Sequence, residues 1–207
     1  MKAHYEKSDF WAEKARKEDY PARSVYKLRE IDKKFKLLGK NANKPFHILD
    51  LGAAPGSWSL YVLRHLSGSG FLCACDLKPL SREFDANLFD NTDRFFFLQG
   101  DFTQDENHAI IERYAPYGLI ISDAAPATSG MRSLDTARSL ALSESVLESA
   151  QKTLSPAGNL VIKIFQGGES PEFLKKIRLF FNEVKTFKPS SCRSNSFETY
   201  VIALGKK

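Results

Sequence analysis

Five charged residues stand within or at the ends of short apolar runs typical of buried β-strands: Asp50, Asp76, Asp101, Asp123 and Lys163. In a parallel sheet, ligands collect where the strands reach their carboxyl ends, so these side chains are expected to meet in one pocket. An aspartate in a strand-to-helix loop commonly caps the helix instead. The recurrence of acids at successive strand ends favours the shared pocket.

A glycine-rich turn, DLGAAPGSW from Asp50 to Trp58, ends the first apolar run. Its small residues, Gly52 and Gly56 among them, let a ligand lie against bare backbone at the amino terminus of a helix. The turn matches neither the dinucleotide fingerprint nor a P-loop, which favours a nucleoside ligand over a pyrophosphate. Asp76 is expected to accept hydrogen bonds from two ribose hydroxyls, and Asp101 from an adenine amino group. An acidic pocket also suits a positively charged sulfonium.

Strand-like runs alternate with helical stretches, which predicts an α/β fold whose mostly parallel sheet carries helices on both faces. Seven strands are predicted: His47–Leu51, Phe71–Asp76, Phe95–Gln99, Leu119–Asp123, Leu160–Phe165, Val184–Phe187 and Tyr200–Leu204. Helices are predicted after the glycine-rich turn and over Ala22–Phe35, Asp135–Leu154 and Ser170–Phe181. A short, helix-free segment joins the last two strands, which predicts a terminal antiparallel hairpin.

Positive charge is concentrated at the two ends of the chain. Residues 1–44 and 175–207 each carry a net charge of +6, whereas residues 45–174 carry −7. Two basic ends folded onto one face would attract a polyanion, because releasing counterions from phosphates is favourable. A solvated surface without a partner is the alternative, and charge alone does not decide between them.

Length and composition predict one domain over residues 1–207, with a basic N-terminal helical extension over about residues 1–44. The apolar runs are too short for a membrane span and no secretory leader is recognised, so a cytoplasmic protein is expected. Cys73 and Cys75 are expected to be buried thiols on one face of a strand. The four histidines show no ligand-like spacing, so no metal site is expected.

The sequence resembles the FtsJ-like RNA ribose 2′-O-methyltransferases. The motifs that carry the resemblance follow one another over nearly the whole chain: Ala22–Leu28 (ARSVYKL), Asp50–Trp58, Cys75–Leu77 (CDL), Gln99–Phe102 (QGDF), Ser122–Pro126 (SDAAP), Val161–Gly167 (VIKIFQG) and Glu198–Tyr200 (ETY). The resemblance implies a Rossmann-like class I methyltransferase fold and S-adenosylmethionine as the methyl donor. It is strongest to the bacterial members that methylate a uridine of large-subunit (23S) ribosomal RNA.

The resemblance also implies which residues act. By motif position, the catalytic set falls on Lys27, Asp123, Lys163 and Glu198. With Gly52 from the glycine-rich turn, the predicted methyl-donor contacts are Gly52, Gly56, Trp58, Asp76, Asp101 and Asp123. Trp58 has an alternative role as the core anchor of the first helix after the turn. Two departures are that Ser57 replaces the family's usual second glycine and that Leu80–Asp93 lengthens the chain as a predicted surface excursion.

In the implied mechanism, Lys163 accepts the proton of the ribose hydroxyl. Lysine is normally protonated, but burial and a neighbouring cation, here Lys27, lower the pKa of a lysine. Glu198 is expected to hold the Lys163 ammonium, and Asp123 to touch both Lys163 and the methyl region of the donor. An ordinary ion pair between Lys163 and Glu198 is the alternative, which the rarity of buried lysines disfavours.

The RNA partner, predicted to be ribosomal RNA of the large subunit bound by a monomer, is expected at the basic ends. The predicted contacts are Arg23, Arg29, Lys33, Lys34, Lys188 and Arg193. Transfer RNA is the alternative RNA substrate. A small-molecule O-methyltransferase on the same fold would need neither the basic ends nor the four catalytic residues. An inactive RNA-binding protein would be expected to have lost one of those four, and all are present.

Overall fold

The computed structural model describes residues 10–38, 46–167, 170–193 and 196–207. Within them the helices are α1 (Phe10–Lys17), α2 (Val25–Phe35), α3 (Ser57–His65), α4 (Asp105–Glu112), α5 (Arg132–Thr153) and α6 (Ser170–Phe180). The strands are β1 (His47–Leu51), β2 (Phe71–Asp76), β3 (Phe95–Gln99), β4 (Tyr117–Ser122), β5 (Leu154–Phe165), β6 (Phe181–Phe187) and β7 (Glu198–Lys206). Residues 1–9 and 39–44 of the predicted basic extension lie outside the described residues.

The strands form one sheet in the order β3-β2-β1-β4-β5-β7-β6. Strands β1 to β5 pair in parallel, and β7 lies between β5 and β6 and is antiparallel to both. The predicted α/β fold, with a mostly parallel seven-stranded sheet and a terminal antiparallel hairpin, is confirmed. The order reverses beside β1, so a cleft is expected at the carboxyl ends of β1 and β4.

Each face of the sheet carries its own apolar cluster. Alternate strand residues point to opposite faces, so Val161 packs with α2 and α3 on one face, whereas Leu160 and Ile162 pack with α5 and α6 on the other. Lys163 continues the alternation of Val161 and shares its face. A charged side chain is thus placed at the end of an apolar strand, on the side covered by the basic helix α2.

The strands β1, β2 and β3 have the predicted bounds, whereas β5 begins earlier than predicted. Leu154 already pairs with Tyr117 of β4, and a register shift follows before Asn159 pairs with Leu119. The intervening residues 155–158 include Pro156 and Gly158, which are typical of a turn. The sequence therefore predicts a turn where the strand has already begun. Helix α2 begins at Val25, three residues later than predicted.

The Leu80–Asp93 segment is mostly exposed, as expected of a surface excursion, and it packs inward at Asp85 and Phe89. The Phe89 ring is 8% exposed and stacks on Phe95 with 4.8 Å between ring centroids. The Ser81 amide donates to the Pro55 carbonyl at 2.9 Å. The segment therefore braces the glycine-rich turn from outside. Asp85 is buried and pairs with Arg82 at 3.0 Å.

Three further findings bear on the sequence predictions. Cys73 and Cys75 are buried free thiols, as predicted. No helix in the described part of the chain is long and apolar enough to cross a membrane. Across the described ranges, no group of three or more His, Cys, Asp or Glu side chains is arranged to hold a metal ion.

Candidate active site

A cavity of about 900 Å³ opens at the carboxyl ends of β1 to β4. Four of the predicted donor-binding residues line it: Gly52, Asp76, Asp101 and Asp123. The strand-to-helix loops place them there, as the switch-point rule predicts. Asp50 and Lys163 do not line the cavity, so the five charged residues do not share one pocket.

Gly52 occupies a position that only glycine fits. Its φ of +79° lies in the left-handed region, and a Cβ added to it would stand 2.5 Å from the Ala124 Cα. The amides of Gly52 and Ala53 donate to the Cys75 carbonyl. The turn after β1 and the loop after β4 therefore approach each other closely, and Gly52 itself adds no side chain to the cavity wall.

Asp76 and Asp101 are held by backbone amides on the cavity wall. The two Asp76 carboxylate oxygens accept from the Ala54 amide at 2.9 Å and the Lys78 amide at 2.8 Å. Asp101 Oδ1 accepts from both the amide and the hydroxyl of Thr103, and these bonds hold the pKa of Asp101 below its usual range. Each oxygen has more than one lone pair, so both carboxylates remain able to accept from a ligand.

The buried centre of the site is a cluster of Lys163, Asp123 and Tyr200. Asp123 Oδ1 accepts from the Lys163 ammonium at 3.0 Å and from the Tyr200 hydroxyl at 2.7 Å. The Lys163 ammonium also donates to the Asp123 backbone carbonyl. Lys163 and Tyr200 are cross-strand neighbours of β5 and β7, so the sheet register sets this geometry.

Glu198 pairs with Lys27, which corrects the prediction that it holds Lys163. The Lys27 ammonium lies 2.9 Å from Glu198 Oε2, and both side chains are nearly buried. Glu198 is the cross-strand partner of Phe165, two residues beyond Lys163, and Lys27 reaches it from α2. The Lys163 ammonium is held by Asp123 instead. The four predicted catalytic residues therefore form two adjacent ion pairs.

Burial and charge oppose each other in these pairs. Burial alone would raise the pKa of Asp123, but Lys163, Lys27 and the Tyr200 hydroxyl outweigh it and hold that pKa below its usual value. Burial lowers the pKa of Lys27, but Asp123 and Glu198 more than compensate and raise it. Lys27 and Asp123 are therefore both charged at neutral pH. Burial and the neighbouring acids raise the pKa of Tyr200 well above 10, so its hydroxyl stays a donor.

Trp58 and Gly56 do not line the cavity. The Trp58 side chain is 2% exposed, its indole N–H donates to the Ser24 carbonyl at 2.8 Å, and its ring lies 5.8 Å from that of Tyr200. These contacts fit the core-anchor alternative. Gly56, with φ of +106°, precedes α3, and a Cβ there would stand 3.1 Å from the Phe89 ring.

Three functional candidates were missed in the sequence. Tyr200 shares the face of Glu198 by the period-two rule, which was the available signal. Arg138 and Ser145 of α5 also line the cavity. Their spacing on a helix gives no signal of a ligand, because only the packing of α5 against β4 and β5 brings them to the cavity.

Asp50 is a fully buried carboxyl within β1. Its Oδ2 accepts from the Ser59 hydroxyl at 2.7 Å, and its Oδ1 has no hydrogen-bond partner. Burial raises its pKa to about 7, against the opposing Ser59 hydrogen bond and with added repulsion from Asp123 and Asp76. Asp50 is thus a structural carboxyl behind the glycine-rich turn, and its pKa lies close to neutral pH.

Replacing Asp50 by Asn is expected to remove a pH dependence of folding stability. The unfolded carboxyl titrates near pH 4 and the folded one at about 7. The folded state binds more protons in this window, so wild-type stability falls as pH rises through it. In thermal melts, the melting temperature of Asp50→Asn should rise relative to that of the wild type as the pH rises from about 4 to about 7. The exposed Asp93→Asn serves as the control, and a pH-independent midpoint difference for Asp50→Asn contradicts the assignment.

The predicted RNA contacts come together from two segments. The Arg23 guanidinium donates to the Ser191 carbonyl at 2.6 Å, Lys34 lies 4.4 Å from the Phe187 ring centre, and Lys188 donates to the Ser196 carbonyl. We use the name basic surface for Arg23, Arg29, Lys33, Lys34, Lys188 and Arg193. Arg29 pairs with Glu18 at 2.6 Å, so its charge is partly neutralised.

The sheet order and the cavity at its switch point define a class I methyltransferase. The profile of the FtsJ-like methyltransferases matches residues 20–206. A ribosomal RNA large subunit methyltransferase E of Treponema denticola is 47% identical over 100% of this chain and 98% of its own length. Its counterpart in Borrelia duttonii is 43% identical over 96% of each chain. The protein belongs to the FtsJ-like methyltransferase family, which confirms the predicted family and the prediction of a methyltransferase.

Solved structures show the same fold. A crystal structure described as a ribosomal RNA methyltransferase of Plasmodium falciparum has a TM-score of 0.73 at 24% identity, over 90% of this chain and 98% of that one. Human methyltransferase-like protein 13, solved with SAH, has a TM-score of 0.55 at 15% identity, over 82% and 74%. The predicted Rossmann-like class I methyltransferase fold is confirmed.

Proposed function

We propose that the protein transfers a methyl group from S-adenosylmethionine to a ribose 2′-hydroxyl of ribosomal RNA, at a uridine of the large subunit. One observation carries the proposal: Asp123 belongs both to the cavity wall and to the buried cluster with Lys163 and Tyr200. A donor in the cavity and a proton acceptor beyond it thus meet at one residue. The names of the bacterial relatives support ribosomal RNA of the large subunit as the acceptor.

The cavity fits a nucleoside methyl donor. The bare backbone at Gly52 and the two anchored carboxylates of Asp76 and Asp101 supply a flat wall and hydrogen-bond acceptors. The wall carries three carboxylates against the two cations of Lys78 and Arg138, and this excess of negative charge complements a cationic ligand. S-adenosylmethionine, when bound, supplies an electrophilic methyl group on a sulfonium. Gly56 and Trp58 would act indirectly, by fixing the start of α3 behind the glycine-rich turn.

Lys163 performs the proton step in this proposal. An alcohol becomes an effective nucleophile when a base takes its proton as the new bond forms. The Lys163 ammonium first releases a proton to solvent, and the neutral Nζ then accepts the proton of the hydroxyl. The Asp123 carboxylate and carbonyl hold the ammonium that results. Tyr200 fixes the Asp123 carboxylate through its hydroxyl. Lys27 and Glu198, as a neighbouring ion pair, orient the acceptor ribose by hydrogen bonds.

Labelled S-adenosylmethionine tests the choice of acceptor. The purified protein is incubated separately with large ribosomal subunits that lack ribose methylation, with transfer RNA, and with a catechol. Label in the ribosomal RNA alone supports the proposal. Label in transfer RNA alone points to the alternative RNA substrate, and label in the catechol alone identifies a small-molecule enzyme; either result overturns the proposed acceptor.

The basic surface lies on the α2 side of the sheet, the side of Lys27 and Lys163. Helix α2 and the segment after β6 are joined by the Glu30 carboxylate, which accepts from the amides of Ser190 and Ser191. The cations of α2 and those of the segment after β6 therefore lie on one face. Phosphates bound there lie next to the buried cluster, which suits a polynucleotide acceptor better than a small alcohol.

Replacing Lys33 and Lys188 together by Ala is expected to raise the KM for ribosomal subunits severalfold. Both are exposed on the basic surface. Affinity falls as salt rises, and loss of two phosphate contacts should make the fall of log affinity with log salt less steep by about 2. Steady-state methylation at several salt concentrations measures both effects. The matched control, Lys175→Ala with Arg178→Ala, removes two exposed cations from α6 on the opposite face. Equal effects of the two double variants contradict an RNA-binding role for the basic surface.

Three further elements belong to the proposal. The enzyme acts as a monomer, and it acts in the cytoplasm, where ribosomal subunits are assembled. The chain forms one domain whose basic N-terminal helical extension helps to bind the RNA. Helix α1 supports the last point, because Lys14, Arg16 and Lys17 place three cations on it.

A further inference from the structure

Two aromatic rings and a guanidinium form a contact group at the end of β5, the strand that carries Lys163. The rings of Phe165 and Phe197 meet edge to face at 67°, with 4.8 Å between centroids. The Arg132 guanidinium carbon lies 5.4 Å from the centre of the Phe197 ring. We use the name rim stack for Phe165, Phe197 and Arg132. The three come from the end of β5, the residue before β7 and the start of α5.

The strand register places the rim stack beside the proposed proton acceptor. Phe165 follows Lys163 by two residues, so both side chains point to the same face of β5. Phe165 is also the cross-strand partner of Glu198, and Phe197 directly precedes Glu198. The Gln166 amide donates to the Phe197 carbonyl at 2.9 Å, which extends the pairing of the two strands past the catalytic residues. The stack thus continues the site outward.

The rim stack is open to solvent, unlike the aromatic contacts of the core. Both rings are only partly buried, and Arg132 is exposed. Met131 and Leu134, on either side of Arg132, are 62% and 37% exposed. In the part of the chain that the structure describes, no carboxylate pairs with the Arg132 guanidinium. Two apolar rings and one cationic side chain are therefore accessible to a ligand beside the Lys163, Asp123 and Tyr200 cluster.

We propose that the rim stack holds the base of the nucleotide whose ribose is methylated. The inference rests on the proposed function, since it requires a ribose at Lys163. A ribose held there carries its base within one nucleotide's reach, where Phe165 and Phe197 present ring surface. Nucleobases extruded from a folded RNA stack on aromatic rings and on guanidinium planes. The positive charge of Arg132 also suits the adjoining phosphate.

Phe197→Ala is the decisive variant. We expect its KM for unmethylated large ribosomal subunits to rise about tenfold, while its affinity for S-adenosylhomocysteine, measured by calorimetry, stays at the wild-type value. Phe197→Tyr keeps a stacking ring and should restore the KM. Arg132→Gln should raise the KM as well. Leu179→Ala, which removes a side chain 69% exposed on α6, is the matched control and should change nothing.

The outcomes separate this inference from the proposed function. If the wild type methylates ribosomal RNA and Phe197→Ala keeps its KM, only the inference fails. A KM that stays high in Phe197→Tyr excludes stacking, and a parallel loss of S-adenosylhomocysteine affinity in Phe197→Ala shows a structural role; each overturns the inference. If the wild type transfers no label to ribosomal RNA, the proposed function fails and the inference fails with it.

Discussion

Lys163→Ala is expected to abolish measurable turnover while methyl-donor binding persists. General base catalysis typically contributes about a hundredfold to ten-thousandfold in rate. Among the lysines that the structure describes, only Lys163 donates to both the carboxylate and the backbone carbonyl of Asp123. Donor affinity is preserved because Lys163 does not line the cavity. Asp123 keeps its hydrogen bond from Tyr200, so the cavity wall stays in place. Single-turnover methylation and calorimetric titration with S-adenosylhomocysteine measure the two quantities.

A lysine elsewhere controls for the loss of an ion pair as such. Lys176 pairs with Glu144 at 3.5 Å on the α5–α6 side, and the two side chains are 43% and 44% exposed. Lys176→Ala is therefore expected to retain wild-type turnover, since exposed pairs contribute little. Turnover retained in Lys163→Ala would remove Lys163 from the role of base. Loss of donor affinity in the same variant would show that the cavity and the cluster are not separable.

Asp123→Ala is expected to impair donor binding, turnover and stability together. Asp123 lines the cavity and also holds the Lys163 ammonium, whose side chain is 8% exposed. Leaving that ammonium buried without its partner costs about 3 kcal/mol of folding free energy. Because a charge in the cavity wall is also lost, we expect donor affinity to fall at least about tenfold, which corresponds to about 1.4 kcal/mol.

Asp123→Asn separates these effects. The amide keeps an oxygen that accepts from Tyr200 and Lys163, so the loss of stability should be smaller than for Ala. Urea unfolding and calorimetric titration, run on both variants beside Lys163→Ala, provide the comparison. The proposal that Asp123 connects the two sites is contradicted if donor affinity in Asp123→Ala equals that of the wild type.

Most of the fold could be predicted because its signals are local. The strands β1, β2 and β3 are short apolar runs, each with a glycine directly before or after it, and their bounds match the prediction. The start of β5 could not be predicted in this way. Leu154 belongs to the strand only because Tyr117 of β4 lies opposite it, and Pro156 and Gly158 have the local character of a turn.

The site residues were easier to predict than their partners. Gly52, Asp76, Asp101 and Asp123 reach one cavity because each follows a parallel strand. The pairing of Glu198 with Lys27 depends instead on β7 lying between β5 and β6, and on α2 crossing that face. Such pairing is set by register and packing between distant segments. Motif order along the chain does not contain it.

The most direct test of the proposed function identifies the methylated nucleoside. Unmethylated large ribosomal subunits are incubated with the protein and S-adenosylmethionine, and the ribosomal RNA is digested to nucleosides for mass spectrometry. We predict a 2′-O-methyluridine that is absent from the parallel Lys163→Ala reaction. A methyl group on a base, or ribosomal RNA that stays unmethylated, would contradict the proposal.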